Sequence, residues 1–573
     1  MENVMNQRKK NWLDYMSVIA IAGAFLILIV LNICWGSHWI NSDMAAEMIF
    51  SELLAEEGRL IATPDWYYST EFRVLYTQLI MGPLHHIFED WQTIRVITNV
   101  VFYIMMLASF YFACKPLGIK KRNIRLCALA LLMPVSEAVM THLQMGNTYM
   151  SHVILCFVTF GLFLRLCDRD MGLWKQPGNL QCQSETARTA AGHKRALWKL
   201  TVYGVLYAVL CVILGISGVR YLLDLLVPLL LTGFVFVIRS GGFQAFRQEP
   251  GRESLGSMLG TEQMRYFFVG LAGVILGGIG YLINALRISK IYQFQTYDTT
   301  NFIVVHEGEF WDRVQNALGE LLQMFGYIEN KPFLSLRGAI TILAFVMIAV
   351  LGFVWVKCLR YSGVQSTALV EPVEQNHRRF TVLFAGVNFV LHIFVFVFTT
   401  STMVDRYYIP IVIFFLLVLA IFMEWEGLAF DRVAVCLILG ASLALAGLKT
   451  CYSFITNDKN AERYEMAEYL VQEGYTFGYA SYWNSNIMTE VSDGALEMAN
   501  LWSLETMGDF KWSSKVSSYE PKEGKIFLIA AKEELAELEE WGMLEKQEVI
   551  FENEAYVVLH FECQAEFLAY RAQ

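Results

Sequence analysis

The side chains best suited to chemistry crowd into one stretch, Trp35 to Trp91, between the first two apolar runs. It holds Asp43, Glu47, Glu52, Glu56, Glu57, Asp65 and Glu71, together with Trp39, Trp66, Tyr67, Tyr68 and Tyr76. Asp43 and Glu47 stand four residues apart, so on a helix they share a face. Asp43 admits two readings. It can favour the helix dipole in a first turn that Ser42 caps. It can also be a general base, which needs one lone pair aimed at an acceptor hydroxyl. Glu47, Glu52, Glu56 and Glu57 read as the solvated face of that helix. Trp66 and Tyr67 beside Glu71 suit a sugar, with ring faces against C–H faces and a carboxylate on hydroxyls. The same aromatics would also serve as an interfacial belt. Glu71 needs a partner if it lies close to a bilayer surface. His85 and His86 read as loop residues without the company a metal ligand needs.

Further along, the polar turn from His142 to Asn147 reads as either a cavity lining or a plain hairpin. Glu137 lies within an apolar run, where a carboxylate is a functional candidate by default. Arg220 and Tyr221 open one apolar run, with Asp224 a turn later. Arg406 and Tyr407 open another, just after Asp405. An arginine fork binds phosphate bidentately, and an arginine at a span end also snorkels or pairs with a nearby aspartate. Lys290, Lys331 and Arg337 are weaker phosphate candidates.

The elements that must position these residues are membrane helices. Of the 573 residues, 55% are hydrophobic and 17% charged, and the mean hydropathy is +0.42. Soluble chains carry about a quarter charged residues, so the composition describes an α-helical polytopic membrane protein. The net charge of −10 argues against nucleic acid as a partner. About eleven apolar runs approach the roughly 20 residues needed to cross a bilayer. They lie near 13–34, 94–114, 124–141, 148–166, 197–216, 219–239, 266–286, 338–358, 380–399, 407–424 and 432–450. The first, preceded by Arg8, Lys9 and Lys10, reads as an uncleaved span rather than a signal peptide. With eleven spans, the Lys- and Arg-rich connections all fall on one side. These are the N-terminus, 115–125, 175–199, 239–265 and 357–379, and the positive-inside rule makes that side cytoplasmic. The expected location is a plasma membrane, with the N-terminus inside. The first loop, 35–93, the later loop, 287–337, and the tail are then external. The tail, 452–573, reads as a small soluble α/β domain after a membrane domain, 1–451. Ala461–Glu473 and Lys532–Trp541 have helical spacing, Thr476–Trp483 and Lys525–Ala531 read as strands, and Glu548–Phe561 reads as a hairpin. The 11 cysteines show no CxxC or Cys/His metal spacing and read as buried thiols. No internal repeat supports an inverted-repeat transporter.

At this point the layout resembles the GT-C superfamily of polyprenyl-phosphate-sugar-dependent glycosyltransferases, which includes protein O-mannosyltransferases and the aminoarabinose transferase of lipid A. The matching features are the first span, then Asn41-Ser42-Asp43 opening a helix, then Pro64-Asp65-Trp66 leading to Glu71. The later external loop, Arg406-Tyr407-Tyr408-Ile409-Pro410 and the external C-terminal domain also match. The resemblance implies a GT-C-like fold of about 11 transmembrane helices and an inverting transfer from a polyprenyl-phosphate-linked sugar to an acceptor hydroxyl. Asp43 is then the general base, Glu71 helps to place substrate, and Arg406 faces the lipid phosphate, with Arg220 or a divalent metal as a further charge partner. Many members carry a paired Asp-Glu at the base. Here Asp43 is followed by Met44, so the pair is broken, and Glu47 is a candidate substitute. The acceptor, whether an envelope glycan, lipid or protein, is left open. Two other classes compete: a lipid or glycan transporter or flippase, and a non-catalytic membrane scaffold whose C-terminal domain binds a partner.

Overall fold

The computed structural model describes residues 2–146, 149–168, 186–239, 262–295, 300–303, 306–330, 332, 334–361, 372–425 and 429–571. Among these, nine helices are long and apolar enough to cross a membrane, and ten if one bent pair counts as a single span. The chain is a multi-pass membrane protein. Two of the eleven expected spans are altered. The run near 124–141 forms two helices, Lys121–Leu132 and Glu137–Met145, that meet at 98°. Pro134 stands in the break, where it can neither donate to a helix nor leave its predecessor helical. The run near 148–166 forms Met150–Leu166, an apolar helix of 17 residues. At about 1.5 Å per residue it falls short of a hydrocarbon layer about 30 Å thick.

The helical core is one continuous apolar cluster, with Phe157, Phe160, Phe163, Phe380, Phe384 and Phe414 fully buried at its centre. Asp224 interrupts it. Its carboxylate lies 2.8 Å from His152 Nε2 and 2.6 Å from His392 Nε2. Three helical segments are thereby joined through one buried carboxylate, close to the start of the span Leu222–Arg239.

The first loop is ordered by pairing. After the helix Ser42–Glu56, strand β1 (Trp66–Tyr68) pairs in parallel with β2 (Gln293–Phe294). The tail supplies β3 (Phe477–Ser481), β4 (Glu497–Leu501), β5 (Ser514–Lys515), β6 (Ile526–Ala531), β7 (Val549–Glu552) and β8 (Tyr556–Phe561). Five of these form a mixed sheet in the order β4-β3-β6-β8-β7, with β6 buried along its whole length. β5 leaves that sheet and pairs antiparallel with β1, so that Trp66 opposes Lys515 and Tyr67 opposes Ser514.

The expected hairpin, the strand near 525–531 and the helix near 461–473 are present in the tail. In that helix Met466 and Leu470 are buried, whereas Tyr464 and Val471 are exposed. The strand expected over Thr476–Trp483 stops at Ser481. Tyr482 opens a helix, Tyr482–Val491, that packs on Ser42–Glu56. The two parts are also joined by a buried ion pair: Arg95 Nε and Nη2 donate to the Glu490 carboxylate at 2.9 and 2.7 Å. Lys515 Nζ lies 3.2 Å from Glu52, and Asn460 donates to the backbone carbonyls of Ser37 and Ile40.

Candidate active site

Between the first loop and the tail lies a cavity of about 540 Å³. Its floor begins with the helix Ser42–Glu56. The cap is Asn41, whose side chain accepts from the Met44 amide at 3.0 Å, and not Ser42 as the sequence suggested. This places Asp43 in the first turn, facing the cavity. The Tyr482 hydroxyl reaches down from the tail and donates to Asp43 Oδ1 at 2.6 Å.

Glu47 lies one turn further on and also lines the cavity. The expectation of a solvated glutamate fails here, because only 6% of Glu47 is exposed. Tyr76 donates to its Oε1, and Arg73 Nη1 lies 3.4 Å from the same oxygen. Burial pushes the Glu47 carboxyl up to about 7, against the opposing pull of Arg73 and Tyr76. Helical periodicity gave both carboxylates one face. It could not show that a tyrosine 29 residues later would cover it.

Glu71 and Arg220 form the second feature. Arg220 Nε lies 2.9 Å from Glu71 Oε1, and Arg73 Nε lies 3.1 Å from Oε2. Burial pushes the Glu71 carboxyl up, but the two guanidinium groups outweigh it and hold it below its usual value. Arg220 also donates to the Tyr149 hydroxyl at 3.2 Å and packs against the rings of Tyr149 and Tyr407. Arg406 lines the same cavity and stands in the first turn of the span Asp405–Phe422, while Arg220 stands just before the span Leu222–Arg239. Two arginines at span ends and Arg73 of the first loop thus line one cavity.

The structure therefore brings Asp43, Glu71, Trp66, Arg220, Arg406 and Tyr407 together. Trp66 is 4% exposed and packs on Phe50. Strand alternation gives its neighbour Tyr67 the opposite face. Tyr67 does not line the cavity but packs on Tyr519 with centroids 5.5 Å apart, and Tyr68 lines the cavity instead. His142 is buried outside the lining, edge-on to Tyr149 at 6.0 Å. Asn147 and Lys331 lie outside the described residues.

Sequence reasoning missed Arg73 and Tyr149, gave Tyr76 no role, and missed every tail residue of the site, among them Tyr482, Trp483, Trp502, Phe510 and Trp512. One signal was available for Arg73, which stands two residues after Glu71. The tail rings were visible only as an aromatic-rich segment, 482–512. The lining as described has no Leu, Ile, Val or Met; its apolar surface is almost wholly aromatic. Among the described residues, no group of three or more His, Cys, Asp or Glu is placed to hold a metal ion.

No protein-family model matches the chain, and no curated protein matches it. Among solved structures, it is similar to the aminoarabinose transferase ArnT of Cupriavidus metallidurans bound to undecaprenyl phosphate. That match has 12% identity and a TM-score of 0.47, covering 95% of this chain and 97% of the other. It is also similar to the apo oligosaccharyltransferase of Archaeoglobus fulgidus, at 13% identity and a TM-score of 0.43, covering 90% of this chain and 70% of the other.

Proposed function

We propose that this chain is a membrane glycosyltransferase of GT-C type that moves a sugar from a polyprenyl phosphate to an acceptor hydroxyl, with inversion. The observation that carries this reading is the division of labour within one cavity. A hydrogen-bonded carboxylate, Asp43, lines the same cavity as three arginines, Arg73 of the first loop and Arg220 and Arg406 at span ends.

The chemistry follows from that geometry. The acceptor O–H gives its proton to Asp43 as its oxygen bonds the anomeric carbon. The bond from that carbon to the phosphate oxygen breaks on the opposite side, and the polyprenyl phosphate leaves with the electron pair. The negative charge that develops on the phosphate is met by guanidinium groups already held in place, Arg220 by Glu71 and Tyr149. Tyr482 fixes the rotamer of Asp43 and leaves its second oxygen to take the proton. The site belongs at a membrane surface, because the lipid tail stays in hydrocarbon while the sugar meets water. On this reading that surface is the outer one, opposite the Lys- and Arg-rich connections.

The test is Asp43→Asn in the full-length protein. The expected result is loss of lipid-linked sugar consumption, by about 10²-fold or more, with unchanged expression and melting temperature. Undiminished consumption would overturn the role of Asp43, and lipid flux without sugar transfer would favour a transporter.

A further inference from the structure

The two ends of the cavity differ in charge and in surface. The three arginines of the lining all belong to the first loop and the membrane helices. The tail contributes no cation to the lining, but carboxylates (Glu533, Glu534 and Glu537), small neutral polar residues (Ser481, Asn484, Ser503 and Ser513) and a run of aromatic rings. Trp483 and Trp502 are 55% and 56% exposed although they line a cavity. Their neighbours hold them in place. Trp502 meets Phe510 edge-on at 4.8 Å, Phe510 stacks on Trp512 at 5.7 Å, and Tyr482 contacts both Trp483 and Phe510. Tyr482 is the residue that donates to Asp43, so the aromatic group is fastened directly to the proposed base.

We infer that the tail's aromatic wall, centred on Trp483 and Trp502, is the acceptor subsite and takes a neutral carbohydrate. This rests on the transferase reading and supplies its acceptor class. Three observations favour a neutral glycan. Indole rings that are more than half exposed stack on the C–H faces of pyranose rings, and carboxylates such as Glu537, whose buried Oε2 has no hydrogen-bond partner among the described residues, accept from sugar hydroxyls. A phosphorylated or uronic-acid acceptor would meet like charge at Glu533, Glu534 and Glu537. An acyl chain would need aliphatic walls. Those are found in a different gap, of about 70 Å³ among the helices, lined by Leu131, Leu143, Ile413 and Leu416, and not here.

The test uses the full-length protein in nanodiscs on an array of neutral and anionic oligosaccharides. Binding to neutral glycans is expected, weakened about tenfold or more by Trp502→Ala and Trp483→Ala and largely retained by Trp502→Tyr, which keeps a ring. Melting curves identify any variant that fails to fold. Binding to anionic glycans only, binding indifferent to the tryptophan variants, or no glycan binding overturns the inference. Undecaprenyl phosphate binding is measured on the same wild-type sample. Lipid binding without glycan binding removes the acceptor assignment alone, whereas loss of both removes the transferase reading with it.

Discussion

The hydroxyl of Tyr482 donates to Asp43 Oδ1 at 2.6 Å across 439 residues of sequence. This one hydrogen bond fastens the C-terminal sheet to the carboxylate proposed as the base. Both residues also sit at the start of a helix, Ser42–Glu56 and Tyr482–Val491, and those two helices pack on each other.

Tyr482→Phe removes the donor and keeps the ring. A hydrogen bond to a charged acceptor is worth roughly 1.5–3 kcal/mol. Turnover is expected to fall about 10- to 100-fold while KM for the lipid-linked donor stays near the wild-type value. Steady-state kinetics with purified protein check this, and a change confined to donor KM would contradict it.

Arg95 and Glu490 are both almost fully buried, and each is the other's charge partner. Glu490→Ala strands a buried guanidinium and is expected to cost about 3–5 kcal/mol. A double substitution, Arg95→Met with Glu490→Leu, should recover much of that loss. Melting curves in detergent read both, and faster proteolysis between membrane helices and tail should accompany the single variant.

Glu47 gives stability a pH dependence whose sign can be worked out. Its carboxyl rises from an unfolded value of 4.5 to about 7 in the folded protein, chiefly through burial. Between those values the folded state binds more protons, so stability falls as pH rises from about 4.5 to 7. The whole swing is roughly 3 kcal/mol. Glu47→Gln should flatten that part of a melting-temperature profile. An unchanged slope would assign it to other groups.

Arg220 is held by Glu71 and Tyr149 and stands beside a span end. Arg220→Ala should weaken undecaprenyl phosphate binding by about tenfold or more. Arg220→Lys should recover only part of it, because an ammonium lacks the planar fork. Glu71→Gln should act in the same direction but less strongly, since Tyr149 still holds Arg220. Thermophoresis with a labelled polyprenyl phosphate measures all three.

The sequence by itself determined the class of this protein. Apolar runs of membrane length, the bias of Lys and Arg to alternate loops, and Asp43 beside Glu47 on one helix face are local patterns, and local patterns survive without a fold. Arg220 and Arg406 were legible as candidates for the same reason: each opens an apolar run. The tertiary structure decided what no local pattern contains. It paired Glu71 with Arg220 and Arg73, buried Glu47 beneath Tyr76, and turned Tyr67 away from the cavity by the two-residue period of a strand. It also carried Tyr482, Trp483 and Trp502 to the site from the far end of the chain. The physical reason is range. Hydropathy and helical periodicity act over a few residues, whereas the burial of a carboxylate and the partner of an arginine depend on which distant segments pack against them.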